Sequence, residues 1–161
     1  MKQTDIKRVK EYYEKYRNML FKDSIPTAEE IEFKLHAMPP VAIGYSKHCD
    51  KPLKSGKQHI IAFSKWLKFT EEELQEVLVH EMIHVWQLYH VKEDRYKICS
   101  DLIAHDRLFS FKVNQVNLIL EKNYCFFKVD VRYDHKLVYD DTVTDAVREK
   151  WKKRYNTDFK I

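Results

Sequence analysis

The chain has 161 residues, 44% hydrophobic and 34% charged, with a formal net charge of +4. That length and composition bury a sizeable core and exclude a disordered or fibrous chain, and the mild positive charge permits an acidic partner without requiring one. With only Gly44 and Gly56 as glycines and no run near the ~18 apolar residues of a membrane span, a glycine-rich phosphate loop and a spanning helix are excluded.

In chain order, about Thr4 to Phe21 reads as an amphipathic helix, with Ile6, Val9, Tyr13, Tyr16 and Leu20 at three- and four-residue steps. Ile31, Phe33 and Leu35 alternate as a strand, Pro39-Pro40 breaks the chain, and Val41, Ile43 and Tyr45 alternate as a second strand. The polar stretch Lys47 to Lys57 reads as an exposed loop, and His59 to Ser64 as a short apolar third strand. Thr70 and Glu73 form a capping box that opens a helix, and Glu71, Glu72 and Glu73 suit the positive end of its dipole. After a polar connection from Val91 to Lys97, a helix from about Asp106 to Lys122 carries Phe109, Val113, Val116 and Leu120 as its buried stripe. Phe127, Val129, Val131 and Tyr133 alternate as a strand that ends in an Asp134-His135-Lys136 turn. The last helix, about Thr142 to Tyr155, bears Arg148, Lys150, Lys152, Lys153 and Arg154 around Trp151.

These elements predict an α+β fold with a small antiparallel or mixed sheet packed on helices, in a single domain over 1–161. Its core spans 9–122, and a C-terminal strand and basic helix occupy 123–161. Cys49, Cys99 and Cys125 contain no C-x-x-C pair, which excludes a cysteine zinc ribbon, and read as reduced thiols. Met1 to Asp5 lacks the apolar run of a signal peptide, so a cytoplasmic location is expected, or a nuclear one in a eukaryote.

The capped helix carries His80-Glu81-Met82-Ile83-His84, an H-E-x-x-H motif. Residues four apart share a helix face, so both histidines can meet one metal ion, and Glu81 lies about 60° round from His84. Two imidazoles suit zinc, and a catalytic zinc keeps a position open for water. A third ligand is needed, and His90 and His105 compete for it. His90 gives a metzincin-like spacing, but those proteins place a glycine midway where this chain has Gln87. On a helix continuing through Gln87, His90 sits about 120° from His84 and about 9 Å further along, pointing elsewhere. It reads as an exposed histidine near the helix C-terminus.

The run His80-Glu81-Met82-Ile83-His84, followed by His105-Asp106-Arg107-Leu108-Phe109 and Asn117, resembles the SprT-like, or Spartan-type, zinc metallopeptidases over roughly residues 9 to 120. Asp106 stands where the family often has glycine, the His84-to-His105 connection is longer, and the C-terminal zinc ribbon of some members is missing. The resemblance implies a zincin-like active-site helix, one zinc per chain on His80, His84 and His105, and Glu81 as general base of a zinc endopeptidase. It also implies a protein substrate, including one bound or crosslinked to DNA. Asp106 reads as a helix cap or as an acceptor that orients a ligand histidine. The strand His59 to Ser64 is expected to align substrate by backbone pairing. His36, His48, His59 and His135 read as ordinary surface or loop residues, and Trp86 and Tyr89 as packing residues.

Two other readings compete: a regulatory peptidase that cleaves a repressor-type protein, and a non-catalytic DNA-associated protein stabilised by zinc. Arg148, Lys150, Lys152, Lys153 and Arg154 form either a solvated face or nucleic-acid contacts.

Overall fold

The computed structural model describes residues 6–97, 104–133 and 135–155. Cys99 and Asp134 of the sequence reading lie outside them. Helix α1 covers Ile6–Tyr16 and continues as a π-helical turn over Arg17–Phe21, which turns Leu20 and Phe21 into the core. Lys22, at φ 52°, ends it at the expected boundary after Phe21. Three strands follow, β1 (Ile31–His36), β2 (Gly44–His48) and β3 (His59–Ser64). Helices α2 (Glu71–Tyr89), α3 (Arg107–Lys122) and α4 (Asp145–Tyr155) complete the α+β fold, with a short 3-10 turn at Asp94–Lys97.

The sheet is mixed, in the order β1-β3-β2, with β1 parallel and β2 antiparallel to β3. Every residue of β3 is buried, which explains its unbroken apolar run: a central strand covered on both faces has no solvent side to alternate with. This corrects one expectation. With partners on both edges, β3 has no main-chain groups to offer a substrate; β2 is the edge strand beside it. β2 also begins later than its alternation suggests. Ala42 N–H donates to the Pro39 carbonyl at 3.0 Å, so the chain is still turning at Val41, which is 64% exposed.

Helix α2 is the central element. Thr70 and Glu73 close the capping box in both directions, an arrangement worth about 1 kcal/mol. Leu78, Met82 and Ile83 are fully buried against Val9 and Tyr13 of α1, Ile61 and Phe63 of β3, and Phe109 and Val116 of α3. The predicted stripe of α3 is buried at all four positions.

The expected strand from Phe127 to Tyr133 is not a strand. Among the described residues no neighbouring strand pairs with it, and its main chain is served by side chains instead. Asn117 of α3 donates to the Val129 carbonyl and accepts from the Val129 N–H, both at 2.9 Å. The alternation reflects Val129 turned into the core, not a ladder. Beyond it, Leu67 bridges to Tyr139, and Trp151 of α4 sits edge-on to Trp66, with ring centres 5.8 Å apart.

Candidate active site

His80, Glu81 and His84 project from α2, which runs unbroken through Gln87. His90 therefore falls at the helix C-cap, exposed and stacked on Trp86, its ring 5.4 Å away. His105 arrives from the other side, at the start of α3. Its Nε2 lies 3.1 Å from His80 Nε2, and its ring is 4.8 Å from that of His84. Nitrogens of His80, His84 and His105 all lie within 4.8 Å of one another. Phe109, one turn into α3, packs its ring against all three imidazoles.

Hydrogen bonds on the far side of two rings fix which nitrogen faces inward. His80 Nδ1 is 3.0 Å from the Asp130 carbonyl, an acceptor only, so Nδ1 carries the proton and Nε2 keeps its lone pair. His84 Nδ1 is 2.9 Å from Gln87 Oε1. The amide of Gln87 is oriented in turn, because its Nε2 donates to the Ala104 carbonyl at 2.8 Å and to Asp106 Oδ1 at 3.4 Å. Burial pushes His80 down to about 4, against the Asp130 hydrogen bond, and His84 down to about 3, aided by the neighbouring His80. Both imidazoles are neutral donors near pH 7, and the three-nitrogen set is compatible with a bound metal ion.

Glu81 is buried at 6% exposure, and burial alone pushes its carboxyl up to about 8. Gly44 of β2 lies opposite. A Cβ there would stand 2.9 Å from the Ala62 carbonyl oxygen, 3.3 Å from Val77 Cγ1 and 3.6 Å from Glu81 Oε1. Glycine thus lets the edge strand lie close against α2 at the carboxylate. Two cavities meet at this point and share Gly44, His80, Glu81 and His105. One, of about 250 Å³, reaches Ser46, His59, Gln87 and Tyr96. The other, of about 550 Å³, reaches Val41, Glu76, Asp130 and Tyr133. Together they form a groove along β2 with the histidines at its base.

Asp106 is the helix cap expected of it, and its second contact is with Gln87 beside His84. It caps α3 by accepting from Phe109 N–H at 3.0 Å, and it steadies the Gln87 that holds His84. Tyr96 adds a hydroxyl donor to its other oxygen at 2.8 Å. The expectation for His59 needs correction: it is buried at 2% exposure, with Nε2 2.6 Å from Ser46 Oγ, and burial pushes it down to about 3. His48 stands opposite it across the β2–β3 pair and lines the smaller cavity. His135 is exposed but not idle, 2.9 Å from the buried Glu76 carboxylate. His36 is exposed, as expected.

Sequence reasoning missed Gln87 as a positioning group, although it stands three residues after His84, on the same helix face. It also missed Gly44, Tyr96 and Glu76. Arg148, Lys150, Lys152, Lys153 and Arg154 are exposed on α4, and none of them lines the groove. Trp151 beside them is buried as an anchor.

The family model described as SprT-like family matches residues 9–135. No curated protein and no solved structure matches the chain.

Proposed function

Because the chain belongs to the SprT-like family, we propose that it is a zinc-dependent endopeptidase, with one zinc ion on His80, His84 and His105 and Glu81 as general base. The observation that carries this reading is the convergence of three imidazoles beside a buried carboxylate at the base of an open groove. Zinc held there supplies a Lewis acid that lowers the pKa of water and polarises a carbonyl. Glu81 in its charged form takes a proton from the attacking water and passes it to the leaving amine; burial alone raises its proton affinity, and a dication on the neighbouring histidines would favour the charged carboxylate that a base requires. A site closed for structure alone needs a fourth protein ligand, whereas among the described residues the cluster consists of His80, His84 and His105.

The substrate is an extended protein segment aligned along the outer edge of β2. Its main chain pairs as an added strand, and Gly44 brings it next to Glu81. The exposed cations of α4 favour protein targets bound or crosslinked to DNA. Metal analysis paired with peptide cleavage tests the reading. Glu81→Gln should keep the zinc on the three histidines and lose roughly 10²–10⁴-fold in rate, and His80→Ala or His84→Ala should lose that zinc. A glutamine variant as active as wild type would remove Glu81 from the chemistry.

A further inference from the structure

A second cluster lies one helical turn before His80. Glu76 belongs to α2, Asp130 to the extended segment that receives His80, and His135 follows just beyond. One ligand atom from each lies within 4.8 Å of the others. Glu76 is buried at 6% exposure, while Asp130 and His135 are exposed. His135 Nε2 is 2.9 Å from Glu76 Oε2, a pair that would suffice if the group served only to neutralise a buried carboxylate. Asp130 adds a second carboxylate to the pair, and like charges at this range repel. A cavity of about 350 Å³ opens on the three side chains, and its wall also carries Glu72 and Glu73 against the single cation Lys128.

We propose that Glu76, Asp130 and His135 form a second divalent-metal site, separate from the three-histidine cluster, for a transition-metal ion of the zinc or manganese kind. One imidazole with two carboxylates is a donor set such ions accept, and the cavity leaves room for waters to complete the shell. Two of the three ligands are exposed, so the site binds more weakly than the histidine cluster. The two sites are linked through Asp130. Its carboxylate joins the second site while its carbonyl accepts from His80 Nδ1–H, so an ion there steadies the group that orients His80. The inference does not depend on peptidase activity.

The test is a calorimetric titration of the metal-free chain with zinc chloride, with circular dichroism as the control for folding. Wild type should take up two zinc ions in separate steps, the second weaker. His135→Ala, a surface change, should keep the first step and lose the second. Asp130→Asn should also lose the second step while preserving the Glu76–His135 pair, which separates ion binding from simple charge neutralisation. The His80→Ala/His84→Ala double variant should lose the tight step and retain the weak one, so failure of the catalytic reading is seen separately. Saturation of wild type at a single zinc in large molar excess would overturn the proposal. So would a second step unchanged in His135→Ala and Asp130→Asn.

Discussion

Gln87 is where one side chain decides the behaviour of a neighbouring one. Its carbonyl oxygen holds His84 Nδ1, and its amide is held by Ala104 and Asp106. Without it, the His84 ring is free to rotate and to change tautomer. Gln87→Ala should weaken zinc binding about 10–100-fold while leaving the fold intact, measured by competition with a chromogenic chelator. His90→Ala should leave the affinity at the wild-type value, since its ring lies on Trp86 and not in the cluster. Zinc affinity lowered more by His90→Ala than by Gln87→Ala would reverse the assignment.

At the scale of elements, Asn117 replaces a missing strand partner. It holds both main-chain groups of Val129, and the next carbonyl, Asp130, holds His80. Asn117→Ala leaves a buried amide and carbonyl unpaired, a loss of about 1–3 kcal/mol. It should lower the thermal midpoint and also weaken zinc binding; a variant that melts like wild type would contradict the clasp.

The same segment shows what a sequence can disclose. Residues 127–133 alternate as a strand does, but alternation records which side chains turn inward, and says nothing of whether a neighbour exists to share hydrogen bonds. β3 and α2 were legible because the signals were local: an apolar run, a capping box and histidines four apart. The position of β3 inside the sheet, and hence the burial of His59, follows from strand order, which no local pattern encodes. His105 was reachable only through its family resemblance, because a helix in one place and a loop residue in another become neighbours through tertiary packing alone. The role of Gln87 was hidden for the same reason, since its partners Ala104 and Asp106 lie beyond the helix.

For the molecule as a whole, acid should be destabilising, and His59 is one named cause. Its folded pKa is pushed from 6.5 down to about 3, by burial first and by His48 second. Below about pH 6.5 the unfolded chain takes up a proton that the folded chain refuses, so stability present above that value is lost as pH falls toward 3. At about pH 5 this amounts to roughly 1–2 kcal/mol. The drop in urea midpoint between about pH 7 and pH 5 should therefore be smaller in His59→Gln; an equal drop in both proteins would clear His59 of the effect.

The charge on α4 is also a property of the whole. If Arg148, Lys150, Lys152, Lys153 and Arg154 meet phosphates, DNA binding should be micromolar or weaker at physiological salt and steeply salt-dependent. Replacing Lys150, Lys152, Lys153 and Arg154 with glutamine should flatten the salt slope without changing zinc content. No binding even at low salt would remove the DNA component from the proposed reading.

The sheet order carries a consequence for how the molecule comes into being. β1 pairs in parallel with β3, whose first residue lies 28 positions further along, since Ile31 faces His59. His80 then awaits His105 and, later still, the Asp130 carbonyl, 25 and 50 residues downstream. Loop closure of this span is slow and must precede any reward from the contacts it brings. A chain still emerging from the ribosome holds its two helical histidines well before it holds a groove. The three imidazoles and the carbonyl that orients His80 therefore come together only after residues through Asp130 have been made.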